Sequence, residues 1–97
     1  MAYNIATVLP IVKARLNRLP ADTQLDEYLT LRIQAADEEF GRDGIGLLAD
    51  STADALLLAD MVCWQYQNRD KPGNMPEHLR LRRKERWLHE RMMRDDS

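Results

Sequence analysis

The segment at residues 55–66 constrains the fold more than any other part of the chain, because it is apolar almost all the way round. It reads ALLLADMVCWQY, with Asp60 as its one charged residue, and Ser51 with Asp54 three residues later marks a helix start. A helix of this kind is buried on several sides. In a chain of 97 residues, three further short helices are expected to supply too little cover. The pattern therefore predicts contacts with neighbouring subunits.

The remaining sequence predicts three more helices and no strand, and so an all-α single domain over residues 1–97. The four helices are expected at about residues 7–18, 22–41, 51–69 and 76–93. Thr7 is expected to cap the first and a proline at position 20 to end it. Asp22 or Thr23 is expected to cap the second, with Gly41 as its left-handed C-terminal residue. The second helix has the clearest apolar repeat, formed by Leu25, Leu29, Ile33, Ala36 and Phe40.

The fourth predicted helix has little apolar periodicity. Leu81, Leu88 and Met92 share one stripe, but Lys84 and Glu85 interrupt it. Packing would stabilise such a helix little in an isolated subunit. The fold class expected is therefore a four-helix subunit whose C-terminal helix is mobile or is ordered by a partner.

Charge is segregated along a chain whose net charge is −2. Residues 22–60 hold ten acidic and two basic groups, whereas residues 80–94 hold seven basic and two acidic groups. These blocks could be solvated faces, could pair within one chain, or could join copies head to tail, which gives rings or filaments. The candidate interface residues are Arg80, Arg82, Arg83, Lys84, Arg86 and Arg91 on the basic side and Asp37, Glu38 and Glu39 on the acidic side. Reversing Arg82, Arg83 and Arg86 to glutamate is expected to block assembly without unfolding the subunit.

The basic segment is also compatible with nucleic-acid binding. Its arginines suit phosphate contacts, and Trp87 suits stacking on a base. The overall acidity and the lack of a recognisable helix-turn-helix or sheet platform count against this interpretation. Trp64 and Trp87 are more typical of core or interface anchors.

The sequence contains no recognisable catalytic, metal-binding or cofactor-binding group, and the chain is predicted not to be an enzyme. Cys63 lies in the apolar third helix, where a thiol stays protonated and inert, and a lone cysteine favours a reducing compartment. His89 and Glu90 resemble the start of a zinc-protease motif, but Met93 stands where the second histidine is required. The apolar stretch at residues 5–12 is not expected to be a signal peptide, and no membrane span is expected.

Three stretches resemble the small head–tail connector proteins, or head-completion adaptors, of tailed bacteriophages and prophages. They are VKARL at residues 12–16, AADEEFGR at residues 35–42, and MPEHLR at residues 75–80 leading to RWL at residues 86–88. The resemblance covers most of the chain as a succession of helices.

This resemblance implies an all-helical structural protein that forms a homo-oligomeric ring, dodecameric in the particle, beneath the portal after DNA packaging. Such a ring joins the DNA-filled head to the tail, between the portal protein and a tail-side stopper or completion protein. Genomic DNA passes through it without sequence-specific binding. By position, the segment from Arg80 onward would lie against the portal. The implied location is the head–tail interface of the virion, after assembly in the cytoplasm of the bacterial host. The alternative function is a small DNA-binding or packaging-accessory protein that uses the basic C-terminal helix.

Overall fold

A computed structural model describes residues 5–70 and 73–95 of the chain. These residues form four α-helices and no strand. The helices are α1 (Ile5–Arg15), α2 (Asp26–Arg42), α3 (Thr52–Gln67) and α4 (Glu77–Asp95). The all-α, four-helix prediction is confirmed.

Helix α3 lies at the centre, and each of the other three helices packs against it. The side that carries Cys63 faces α1, because its thiol lies 3.9 Å from the carbonyl oxygen of Val12. Gln65, near the C-terminal end of α3, faces α2, and Asp54, in its first turn, faces α4. One chain therefore covers most of its own most apolar helix.

The cover on α3 leaves little apolar surface for another subunit. The buried side chains of α3 include Leu57, Leu58, Ala59, Met61, Val62 and Cys63. Within this helix, which the structure describes throughout, Leu56 is the one large aliphatic side chain that stays exposed. The expectation that α3 needs neighbouring subunits for burial is wrong, because the other three helices of the same chain all pack on α3 and bury most of its apolar side chains.

Helix α2 turns its apolar repeat towards this centre, as its periodicity predicts. Leu29, Ile33, Ala36 and Phe40 are buried, and Leu25 is half-buried. Lys13 of α1 is also buried and lies 3.0 Å from Asp26 at the start of α2, with its ammonium donating to a backbone carbonyl of the connecting segment. This ion pair fixes the first helix against the second.

Helix α1 ends three residues earlier than predicted, and a Schellman motif rather than the following proline ends it. Asn17 has the left-handed φ of 60°. The Arg18 N–H donates to the Lys13 carbonyl at 2.8 Å, and the Asn17 N–H donates to the Ala14 carbonyl at 3.1 Å. Asparagine is one of the few residues that tolerate this conformation. Thr7 lies inside the helix, so its predicted capping role is wrong.

Helix α2 begins four residues later than predicted. Asp22 does not cap it but accepts a hydrogen bond from the Gln24 N–H at 3.1 Å, in an Asx turn that precedes the helix. That bond, together with the Arg18 guanidinium, holds the pKa of Asp22 below its usual value. The side chain therefore stabilises the connecting turn.

The C-terminal end of α2 is a second Schellman motif, centred on Gly44 rather than on Gly41. Gly44 has a φ of 87°, whereas Gly41 is helical. The Ile45 N–H donates to the Phe40 carbonyl at 2.9 Å, and both of these side chains are buried. Such an apolar contact commonly accompanies the motif.

The two glycines should respond oppositely to alanine. Gly44→Ala should lower the free energy of unfolding by about 1–2 kcal/mol, because a Cβ is strained at positive φ. Gly41→Ala should raise it by about 0.5–1 kcal/mol, because alanine favours helix and no atom lies within 4 Å of the added Cβ. Urea unfolding followed by far-UV circular dichroism measures both changes. Equal effects at the two positions would contradict the assignment of the helix end.

The last two helices begin close to their predicted starts. The Ser51 side chain accepts a hydrogen bond from the Asp54 N–H at 3.2 Å, which confirms the predicted cap of α3. Pro76 directly precedes α4, and its carbonyl accepts from the Leu79 and Arg80 N–H groups at 3.1 and 3.0 Å. Helix α4 is therefore positioned from its first turn.

Candidate functional site

Helix α4 packs on the rest of the chain through a face that is mainly charged. Its inward residues recur every three or four positions, with two pairs of direct neighbours, so all of them fall within one side of the helix. They are Leu79, Arg82, Arg83, Arg86, Trp87 and Glu90. Leu79 is the fully buried apolar member of this inner face. Ionic contacts must therefore hold most of the helix in place.

The central contact of the inner face is a buried pair between Arg86 and Asp54. Arg86 Nε donates to Asp54 Oδ1 at 2.9 Å, and Arg86 Nη2 lies 3.2 Å from Asp54 Oδ2. Their side chains are 11% and 6% exposed. Asp54 Oδ2 also accepts the Leu48 N–H at 2.8 Å. This pair joins α4, the first turn of α3 and the loop that precedes α3.

The same loop is held at both backbone groups of Gly46. Arg86 Nη2 donates to the Gly46 carbonyl at 2.8 Å, and the Gly46 N–H donates to Glu90 Oε1 at 2.6 Å. A Cβ at position 46 would lie 3.1 Å from that Glu90 oxygen, so the close approach favours glycine. We call Asp54, Arg86 and Glu90 the clamp.

Two further arginines of α4 pair with aspartates of the same chain. Arg82 lies 2.5 Å from Asp60, which also pairs with Arg15 of α1. Arg83 pairs with Asp43 at the end of α2. The basic and acidic blocks thus pair within one chain at these positions, which is one of the alternatives that the charge pattern left open.

Sequence order does not single out the aspartates that α4 uses. Asp43, Asp54 and Asp60 lie in the acidic block, but one is in a loop and two are on α3. The clamp also changes the expectation for charge reversal. Arg86→Glu would bury two carboxylates together, so loss of folding is expected rather than loss of assembly alone.

The acidic residues predicted from sequence do not meet the arginines of their own chain's inner face. Asp37 is half-buried, and burial raises the pKa of its carboxyl group. Glu39 is exposed and accepts a hydrogen bond from Gln65 Nε2 at 3.3 Å. Glu38 is exposed on the outside of α2. The three therefore do not act as one site.

The remaining predicted basic residues lie on the solvent side of α4. Arg80 pairs with Glu77 at 2.6 Å, and both side chains are exposed. The Arg91 guanidinium lies 4.9 Å from the centre of the Trp87 ring. Lys84 is exposed. These cations are free to meet a partner, because exposed pairs contribute little to stability.

Opposite the inner face, α4 exposes the apolar stripe that the sequence predicted. Leu81, Leu88 and Met92 are 44%, 45% and 66% exposed. Their spacing of seven and four residues places them on one line along the helix. We call this stripe the α4 outer face. Apart from the buried Leu79, the helix thus turns arginines towards the rest of the chain and exposes its aliphatic side chains, the reverse of an ordinary amphipathic helix.

The other candidate groups belong to the core or its edge. Trp64 and Trp87 are half-buried and pack against the core. Cys63 is buried, and burial raises the pKa of its thiol. Across the part of the chain that the structure describes, no three His, Cys, Asp or Glu side chains are grouped to hold a metal ion. None of the described helices combines the length and apolar character needed to cross a bilayer.

Comparison of the chain with family models, with curated proteins and with solved structures gives no match. The fold places the described residues in the class of all-α, four-helix proteins. Its distinguishing feature is a last helix held by arginine–aspartate pairs, with an apolar stripe in solvent.

Proposed function

We propose that the protein is a structural adaptor of a phage or prophage particle, which forms a ring beneath the portal and joins the DNA-filled head to the tail. The observation that carries the proposal is the α4 outer face. Exposed aliphatic side chains in a row on one helix mark an interaction surface. A subunit that leaves such a stripe uncovered while turning arginines towards its own aspartates is suited to assembly.

The sequence resemblance supplies the biological setting of this proposal. The stretches that resemble head–tail connectors lie at the end of α1, on α2, and from the two residues before α4 to the middle of that helix. An all-α subunit is what that class requires. In this role the ring contacts the portal protein and a tail-side stopper or completion protein, and it performs no chemistry of its own.

The alternative, a small DNA-binding or packaging-accessory protein, has weaker support. Phosphate binding needs free cations on one surface. Arg82, Arg83 and Arg86 are instead paired with aspartates of the same chain. The cations left on the outside of α4 are flanked by an apolar stripe, which suits a protein partner better than a duplex.

Electron microscopy of the protein co-expressed with the portal protein encoded in the same genome tests the proposed role. A ring of this protein on the portal is expected. Leu88→Glu should abolish the ring, because it places a charge in the α4 outer face. Leu19→Glu is the matched control, since Leu19 is exposed in the loop after α1.

Two results would contradict the adaptor role. The first is a portal that carries no additional density at any concentration of the protein. The second is tight binding to duplex DNA in a mobility-shift titration that weakens steeply as salt is raised, which would favour the alternative.

A further inference from the structure

We infer that the α4 outer face of one copy docks, antiparallel, on the outer face of α2 of the next copy. The inference rests on the proposed function and names the contact from which its ring would be built. The contact joins two different surfaces, so every copy can use both of its surfaces at once.

The outer face of α2 is the side opposite its buried apolar repeat. Its residues are Glu27, Leu31, Ala35, Glu38 and, in the last turn, Arg42, all of them exposed. Leu31 is 58% exposed, more than any large apolar side chain on α3. This face therefore offers a short apolar patch with an acidic residue at each end.

The outside of α4 carries the complementary charge. Arg80, Lys84 and Arg91 recur at intervals of four and seven residues, so they form one basic flank beside the apolar stripe. At about 100° per residue, this flank lies roughly 60–100° to one side of Leu81. An apolar stripe with a basic flank on α4 thus matches an apolar patch with acidic ends on α2.

The spacing of the charges matches as well. Glu27 and Glu38 are eleven residues apart, and so are Arg80 and Arg91. At 1.5 Å per residue, each pair spans about 16 Å along its helix. Two helices laid side by side can therefore bring both pairs into contact together.

The flanks also decide the direction of docking. Viewed from the N-terminus of α2, Glu27 and Glu38 are rotated roughly 20–40° from Leu31 around the helix. Viewed in the same way, the basic flank of α4 is rotated from Leu81 in the same direction. Charged flanks with the same direction of rotation meet when the two helices pack antiparallel. Arg80 then lies near Glu38, and Arg91 lies near Glu27. In this register Leu31 comes within one residue of Leu88, a displacement of about 1.5 Å along the helix axis.

Contact between two α4 outer faces is a less favourable use of the same surface. An antiparallel pair of α4 helices would place the two basic flanks against each other, and like charges in contact are destabilising. The acidic ends of the α2 face would also remain without a partner. Charge complementarity therefore favours α2 of a second copy as the occupant.

Disulfide cross-linking between chains that each carry one introduced surface cysteine tests this contact. Purified Leu31→Cys and Leu88→Cys chains, mixed at high concentration and oxidised, should form a linked dimer. The yield should be several-fold above that of the matched mixture of Leu31→Cys with Leu81→Cys, whose positions are out of register. The native Cys63 is buried and stays unreactive.

Two results would overturn the inference. Leu88→Cys chains that link to themselves as well as they link to Leu31→Cys would indicate an α4–α4 contact. Absence of linked dimer in the first mixture, at the highest concentration reached, would show that the two faces do not meet.

Charge exchange gives an independent test with a rescue. Sedimentation velocity is expected to detect self-association of the unchanged chain. The double change Glu27→Lys with Glu38→Lys should abolish it, and so should Arg80→Glu with Arg91→Glu. All four changes in one chain should restore it, because the flanks are complementary again. Asp50→Lys, in the exposed loop before α3, is the control and should have no effect. Failure of the four changes to restore association would contradict the pairing.

The tests of the contact and of the adaptor role can fail separately. Linked dimers without a ring on the portal would support the contact and contradict the adaptor role. A ring on the portal without the Leu31–Leu88 link would support the adaptor role and contradict the contact.

Discussion

Replacement of Asp54 by alanine should lower the free energy of unfolding by about 3–5 kcal/mol, the loss typical of a broken buried ion pair. The change leaves the Arg86 guanidinium buried without its carboxylate. It also removes the acceptor for the Leu48 N–H. Because single domains have total stabilities of only about 5–15 kcal/mol, this loss should be obvious in urea unfolding.

Two controls separate the clamp from a general effect of lost charge. Asp50→Ala, in the exposed loop four residues earlier, should change stability by no more than about 0.5 kcal/mol. Replacing Asp54 and Arg86 together with aliphatic residues of similar volume should recover much of the loss, because no unpaired charge remains. A change below about 1 kcal/mol for Asp54→Ala would show that the clamp does not hold α4.

Truncation of buried core leucines to alanine should lower the free energy of unfolding by a similar amount. Leu58→Ala and Leu29→Ala should each lower the free energy of unfolding by about 2–5 kcal/mol, since both side chains are fully buried and their removal leaves cavities. Urea unfolding again measures the loss. These two positions lie on different helices of one core.

Each core variant has a matched control on its own helix. Leu31→Ala on α2 and Leu56→Ala on α3 remove the same atoms from exposed positions, so each should cost less than about 1 kcal/mol. Equal losses at the buried and exposed positions would contradict the packing of these two helices.

The parts of the fold that depend on neighbouring residues follow from the sequence. The apolar repeat of α2 faces the core because its spacing matches the helical period. Ser51 caps α3 because its hydroxyl lies within reach of an N–H three residues later. The left-handed residues that end α1 and α2, Asn17 and Gly44, are harder to identify from sequence, because nearby glycines and prolines give competing signals for a helix end.

The orientation of α4 could not be obtained in the same way. Aliphatic residues are normally buried first, so Leu81 and Leu88 are the expected contacts of this helix. The fold instead gathers Asp43, Asp54 and Asp60 from a loop and two turns of α3, and these carboxylates draw the arginine face inward. That arrangement depends on how the end of α2 packs beside α3, which the sequence of α4 does not contain.

A cryo-electron microscopy map of the assembled protein on its portal tests the central claim most directly. In each subunit, Arg82, Arg83 and Arg86 should contact aspartates of the same chain, while Leu88 should be covered by α2 of a neighbouring copy beside its Leu31. A map in which Leu81, Leu88 and Met92 face solvent in every subunit would contradict the claim that copies assemble through this face.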